Sequence, residues 1–233
     1  MSNKLALLLL AACSAAPTPA PVDNHADVVA RDTPPPRIAW VAAENRFVAT
    51  GLPAASQDGK VAIVAVSGGD GGRGYPNVHI EVRDRDDKLK QTIAVIAAND
   101  WEQLAPDGKP GPQLDKHVAD VNHELARLHG HYDLVPLGEV KVMNEDLAIG
   151  DGIYVGWDGD RLDVVRKPAA DARDQRLARR DTHAWHVTDT CNHPAFLGGV
   201  YHVDPIRLVV IDARYHGTDT CWEPADQWHV VAW

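Results

Sequence analysis

The sequence predicts an α+β fold that is β-rich, built from antiparallel hairpins and meanders with one central amphipathic helix. Three observations carry this. Apolar runs of strand length recur from Arg37 to the last residue. Turn signals such as Asp158-Gly159 separate several of them. Only residues 113–129 repeat apolar side chains at helical spacing over a long stretch.

The first residues, MSNKLALLLLAAC, set aside a segment that does not belong to the fold. Lys4 gives a short positive region, and Leu5 to Leu10 form an apolar core too short to cross a bilayer of roughly 30 Å as a helix. Its end, Leu10-Ala11-Ala12-Cys13, resembles the lipobox of bacterial lipoproteins. The resemblance implies cleavage before Cys13, a lipid on its thiol and a membrane partner held through that anchor. Ser14 follows instead of an acidic residue, so the outer membrane is the expected destination. Several acyl chains together give stable anchoring where one does not.

Residues 13–37 are then a lipidated cysteine and a tether. Pro17, Pro19, Pro21 and Pro34-Pro35-Pro36 favour extended polyproline conformation. So polar and proline-rich a segment buries too little apolar surface to offset its ordering entropy. Residues 1–12 are read as a lipoprotein signal peptide and 38–233 as a single β-rich globular domain. That domain is long enough for a proper core. A hydrophobic content of 45% and a charged content of 24% are ordinary globular values. The net charge of −10 argues against nucleic acid as a partner.

Within the domain, Arg37 to Ala49 predicts one or two strands around a turn at Glu44-Asn45. Lys60 to Ser67 is a valine-rich strand. The phrase LPAASQDGKVAIVAVS, in which Asp58-Gly59-Lys60 turns into that strand, resembles the opening of a TolB-like propeller blade. That likeness, over residues 52–67, implies antiparallel β-structure. Val78 to Arg83 alternates as a half-buried strand, and Leu89 to Ile96 returns after a charged turn. In the helix, Leu114, Val118, Val121, Leu125 and Leu128 form one stripe, with Gly130 as the expected stop. Glu139 to Met143 predicts a short strand. Gly152 to Trp157 and Arg161 to Val165 predict a hairpin. Ala169 to Arg180 lacks an apolar face and predicts an exposed helix or polar loop. Ile206 to Arg214 and Trp228 to Trp233 close the chain as strands.

The most distinctive motif is stated twice. HVTDTCNHPA occupies 186–195 and HGTDTCWEPA occupies 216–225, with seven of ten positions identical. Trp185 precedes one copy and Tyr215 the other. With Cys13 lipidated, the remaining cysteines are Cys191 and Cys221, one in each copy. An exported pair is expected to form a disulfide. Asp189 and Asp219 then act as turn residues. The alternative uses the motif as a metal site, with His186, His216, Asp189 and Asp219 as ligands and zinc as the ion. His117, Asp120 and Glu124 share a helix flank, and Asp158, Asp160 and Asp163 surround a turn; both groups read as solvated surface.

Catalytic signatures are sparse. Gly69 to Gly74 matches G-x-G-x-x-G, but a strand rather than a helix follows, which removes the dinucleotide reading. No Gly-x-Ser-x-Gly elbow occurs. The tryptophans from Trp157 onward read as core, with a sugar or peptide platform as the functional option. The expectation is a lipid-anchored envelope protein acting as a non-enzymatic binding or structural module without a cofactor. Its partner would be an envelope protein or a cell-wall ligand. The alternative is a metal-binding protein or metal-dependent hydrolase built on the doubled motif.

Overall fold

A computed structural model describes residues 33–69, 74–106, 108–140, 147–167, 173–187, 194–215 and 226–233. Strands dominate, and they pair antiparallel throughout the described residues. Among those residues no helix is long and apolar enough to cross a membrane.

The chain opens with the hairpin β1 (Arg37–Val41) and β2 (Arg46–Thr50). Asn45 turns it with a φ of 51°, a left-handed conformation that asparagine tolerates. A front sheet follows, made of β3 (Ala54–Ser56), β4 (Val61–Gly69), β5 (Pro76–Asp84), β6 (Leu89–Ile96) and β7 (Leu134–Pro136). Its order is β6-β5-β4-β3-β7. Ser56 ties the turn into β4: its Oγ accepts from the amides of Lys60 and Val61 and donates to Asp58.

A helix, α1 (Pro112–Tyr132), runs from β6 towards β7 and lies on the outer face of this sheet. Leu114, Val121, Leu125 and Leu128 are its buried positions, as the apolar stripe predicts. Asn122 binds both the amide and the carbonyl of Ile38 and so docks the hairpin on the helix. The helix does not stop at Gly130. It continues to Tyr132 and closes on Asp133 in the left-handed region, φ 48°. A lone glycine costs a helix only about 1 kcal/mol, too little to end it against that packing.

Two further sheets stack behind the first. The middle one contains β8 (Gly138–Glu139), β13 (Ala195–His202), β14 (Leu208–Tyr215) and β15 (Gln227–Ala232), in the order β15-β14-β13-β8. The back one contains β9 (Leu147–Gly150), β10 (Ile153–Trp157), β11 (Arg161–Arg166) and β12 (Gln175–Asp181), in the order β12-β11-β10-β9. Of the strand expected at 139–143, Glu139 is in β8 and 141–143 lie outside the described residues.

Of the exposed helix or polar loop expected at 169–180, residues 169–172 lie outside the described residues, and β12 corrects the expectation from Gln175 onward. Residues 175–181 pair with β11, and Arg179 forms a two-bond fork with Asp163 across the strands. The edge position explains the polarity: an edge strand needs charge, not an apolar face, to avoid further pairing.

Three cores separate the layers. Val78, Ile80, Val82 and Ile63 of the front sheet pack against α1 and the hairpin. Ala62, Val64 and Val66 of β4 pack on Leu208, Val210 and Val230 of the middle sheet. The other face of the middle sheet, with Val209, Ile211, Ala213 and Tyr215, packs on Val155, Leu162 and Val164 of the back sheet. Strand β14 is therefore buried on both faces and reads as a near-continuous apolar run interrupted at Asp212 and Arg214.

Candidate ligand-binding cleft

The alternation of β5 decides where polar chemistry collects. Val78, Ile80 and Val82 enter the core under α1, so His79, Glu81 and Arg83 point the other way, towards the middle sheet. Glu81 accepts from His79 Nε2 at 3.2 Å and from Arg83 Nε at 2.8 Å. Arg83 also donates Nη1 to Asp87 Oδ1 at 3.1 Å. Glu81, Arg83 and Asp87 thus form a carboxylate–guanidinium–carboxylate row on one wall.

The middle sheet supplies a second row. Asp212 follows Val210 by two residues, so it shares the strand face that looks at the front sheet. Arg214 donates to Asp212 Oδ2 from Nε at 2.8 Å and from Nη2 at 2.7 Å. Its Nε lies 3.8 Å from Asp226 Oδ2. Gly198 makes room for this arrangement: a Cβ there would meet the Arg214 side chain at 2.5 Å. Asp212 is 1% exposed, and among the described residues its Oδ1 has no hydrogen-bond partner. Trp228, its Cα partner on β15, packs beside Tyr201 with ring centroids 5.5 Å apart.

Between the first row and the start of β15 lies a cleft of about 270 Å³, lined by Val66, His79, Glu81, Arg83, Asp226, Gln227 and Trp228. Burial raises the pKa of Glu81, but the His79 hydrogen bond and the Arg83 charge outweigh it and hold the carboxyl below its ordinary value. Asp212 goes the opposite way. Burial raises it, and the Arg214 bonds offset that only in part. A larger apolar groove, about 480 Å³, separates the β1–β2 hairpin from α1 near Trp40, Phe47 and Leu114.

The described residues of the doubled motif answer part of the question that its repetition raises. His186 and Ala195 are the first and last positions of the first copy. The Ala195 amide donates to His186 Nδ1 at 2.8 Å and closes the segment on itself. Outside the copies, Tyr215 Oη donates to Trp185 O at 2.8 Å, so the aromatic residues preceding the two copies meet. Burial, aided by the Asp226 charge, pushes Tyr215 up to about 12. Cys13, Cys191, Cys221, Asp189, Asp219 and His216 lie outside the described residues.

Of the four metal-ligand candidates, the structure therefore describes His186 alone. It stands with Asp160 and His183, one ligand atom of each within 4.8 Å of the others. That cluster is poorly prepared for zinc. With Nδ1 accepting from an amide, the neutral ring carries its proton on Nε2, which faces Asp160 Oδ1 at 3.9 Å. A metal would need the lone pair that this tautomer lacks. The helix flank behaves as solvated surface: His117 bonds Ala94 O, and Glu124 pairs with Arg127.

Sequence reasoning treats His79, Glu81 and Arg83 as the wet face of a half-buried strand and passes over Asp212. The signal available was the repeated acid-x-Arg spacing, Glu81-x-Arg83 and Asp212-x-Arg214, which places both partners of each pair on one strand face. Comparison with protein-family models, with curated proteins and with solved structures finds no match.

Proposed function

We propose that this chain is a lipid-anchored envelope protein whose α+β domain, residues 38–233, is a binding module with its ligand site in the cleft between the front and middle sheets. The observation that carries the reading is the cleft itself. His79, Glu81 and Arg83 of the front sheet, with Asp226, Gln227 and Trp228 at the start of β15, line one small cavity, the arrangement of few polar groups on a shaped surface that ligand sites use. Glu81 and Arg83 are carried by β5, and Gln227 and Trp228 by β15, strands rather than loops, which suits a preformed site.

The anchor reading rests on Leu10-Ala11-Ala12-Cys13, and the tether on the prolines between Cys13 and Arg37. Cys13→Ser is expected to move the protein from the membrane fraction, with the outer membrane as its destination, to the soluble fraction. Unchanged membrane retention defeats the anchor. For the binding function, the decisive test is a thermal-shift panel of small anions, cations, sugars and short peptides on residues 37–233. At least one class should raise Tm, and Trp228→Ala should abolish that rise. A panel without any responder defeats the cleft as a ligand site.

The second reading is zinc held through His186 with Asp160 and His183. The clustering of those three groups favours it, and the His186–Ala195 bond opposes it. Metal analysis of protein dialysed against zinc separates the two. The binding-module reading expects no stoichiometric zinc, and one equivalent lost on His186→Ala would establish the metal protein instead.

A further inference from the structure

We propose that the groove between β1 and α1 is a second binding site, which takes the C-terminal end of a partner polypeptide as an added β-strand. The edge of β1 is the first reason. Asn122 of α1 accepts from the Ile38 amide at 2.8 Å and donates to the Ile38 carbonyl at 2.9 Å. Both Ile38 groups therefore point away from β2, towards the helix. Antiparallel pairing alternates, so Trp40, two residues on, turns its N–H and C=O the same way. Among the described residues neither group is hydrogen-bonded. The Asn122 side chain carries the same donor and acceptor as a peptide unit, and its two bonds to Ile38 show what this edge takes.

The second reason is shape. The groove measures about 480 Å³, within the range of ligand sites. Buried Ile38, Phe47 and Leu114 form its floor, with Trp40 and Val118 partly buried beside them. A strand paired with β1 sets alternate side chains on the face that Ile38 and Trp40 share, above that floor. Asn122 closes one end, and Lys109 and Pro110 lie at the other, before the helix starts. The helix from Pro112 to Asn122 rises about 15 Å, room for about four extended residues. Edge strands are ordinarily guarded by a charge or a proline, and Ile38 to Val41 carries neither. Main-chain bonds to an open edge with pockets for alternate side chains are how strand addition binds peptides.

Charge complementarity names the end of the peptide. Lys109 is exposed and has no ion-pair partner among the described residues. Gly111, the N-cap of α1, supplies no side-chain cap, so the first amides of the helix face the same end of the groove. A cation beside a helix N-terminus favours a carboxylate. Asp115, exposed one turn further along the same wall, disfavours an acidic side chain deeper in. A chain terminus meets both conditions, with one carboxylate at its end and none behind it.

The probes are acetylated hexapeptides in which threonine alternates with valine, leucine, isoleucine or phenylalanine, each ending in a free carboxylate. Each is titrated into the full chain by calorimetry. At least one should bind, and hydrogen exchange at the Trp40 amide should then slow. N-methylation of alternate residues removes the donors from one edge of the peptide, so one phase should abolish binding and the other should spare it. Amidation of the C-terminus and Lys109→Gln should each weaken binding about tenfold, the scale of one lost charge-assisted contact. Ala119 is exposed and lines the groove, so Ala119→Tyr fills it without touching the core and should block binding. Trp228→Ala should change nothing, which separates this site from the cleft between the front and middle sheets. No binding by any probe overturns the proposal, and so does binding that survives both methylation phases or Ala119→Tyr. Binding lost in Trp228→Ala and kept in Ala119→Tyr places the peptide in the other cleft and overturns it as well. Equal binding of acid and amide overturns the terminal carboxylate, while the phase of methylation still decides strand addition.

Discussion

Asp87 is where three layers are tied by one side chain. It sits in the β5–β6 turn with a φ of 68°. Its carboxylate accepts from Arg83 Nη1, from the Val230 amide at 2.8 Å and from His229 Nδ1 at 2.7 Å. The His229 ring stacks on Trp185 at 3.9 Å with planes 6° apart. Front sheet, middle sheet and the segment after β12 therefore depend on the same two oxygens. Asp87→Ala leaves two donors and a guanidinium without their acceptor. A loss of about 2–4 kcal/mol is expected, read as a lower urea midpoint; a loss within experimental error would show that water replaces the carboxylate without cost. Glu81 makes a pH prediction. It binds its proton less tightly folded than unfolded, so it contributes stability above its ordinary value of 4.5 that disappears as pH falls through the folded value. Glu81→Gln should flatten the acid limb of a stability-against-pH curve, and an unchanged limb refutes that linkage. Asp212, raised by burial, has the opposite sign: its share is present below the ordinary carboxyl value and is lost as pH rises through the folded one. These roles were only partly legible in the sequence. The alternation of Val78 to Arg83 shows that His79, Glu81 and Arg83 share a face. It does not show that a second sheet covers that face, because the period of a strand is the same with water or with protein opposite it.

At the scale of elements, legibility followed the strength of local signals. Leu89–Ile96 was read to its boundaries, and the Asp158-Gly159 hairpin to within a residue or two, because turn chemistry fixes where such strands begin. The short strands Ala54–Ser56, Leu134–Pro136 and Leu147–Gly150 carry no period long enough to see. They exist because neighbours in the sheet complete their hydrogen bonds, which is tertiary information. Strand β12 is not legible in the sequence for a related reason: its charges suit both a helix surface and a sheet edge, and only the pairing with β11 decides. The α1 stripe is legible in the sequence and its end is not. Gly130 lies inside the helix, and a Cβ built there meets nothing within 4 Å. Gly130→Ala should therefore stabilise the protein by about 0.5–1 kcal/mol, through the lower backbone entropy of alanine in the unfolded chain. Thermal unfolding checks this, and a destabilised variant would mean that the last turn of α1 needs the flexibility that glycine gives.

For the molecule as a whole, the middle sheet joins everything else, since β14 contributes to the cores on both of its faces. The doubled motif occupies two connections belonging to that sheet, one leading into β13 and one joining β14 to β15. Their ends are close together. Ala195 pairs with Tyr215 across β13 and β14, and Tyr215 Oη reaches back to Trp185. His186 fastens the first copy through the Ala195 amide. Chain segments that leave and return at neighbouring points are the natural place for a covalent tie, and each carries one cysteine. A Cys191–Cys221 disulfide would enclose the β13–β14 hairpin, and closing a loop of that length contributes about 3–4 kcal/mol when strain is small. The prediction is read on protein made in an oxidising compartment, denatured without reductant and treated with an alkylating agent. No added mass is expected on residues 37–233, and two added alkyl groups would remove the disulfide. Because both cores meet on β14, reduction should not release one corner of the protein. It should lower the midpoint of a single cooperative transition that far-ultraviolet circular dichroism and tryptophan fluorescence report together. Separate transitions by the two probes would show that the three sheets do not depend on one another in the way the shared strand requires.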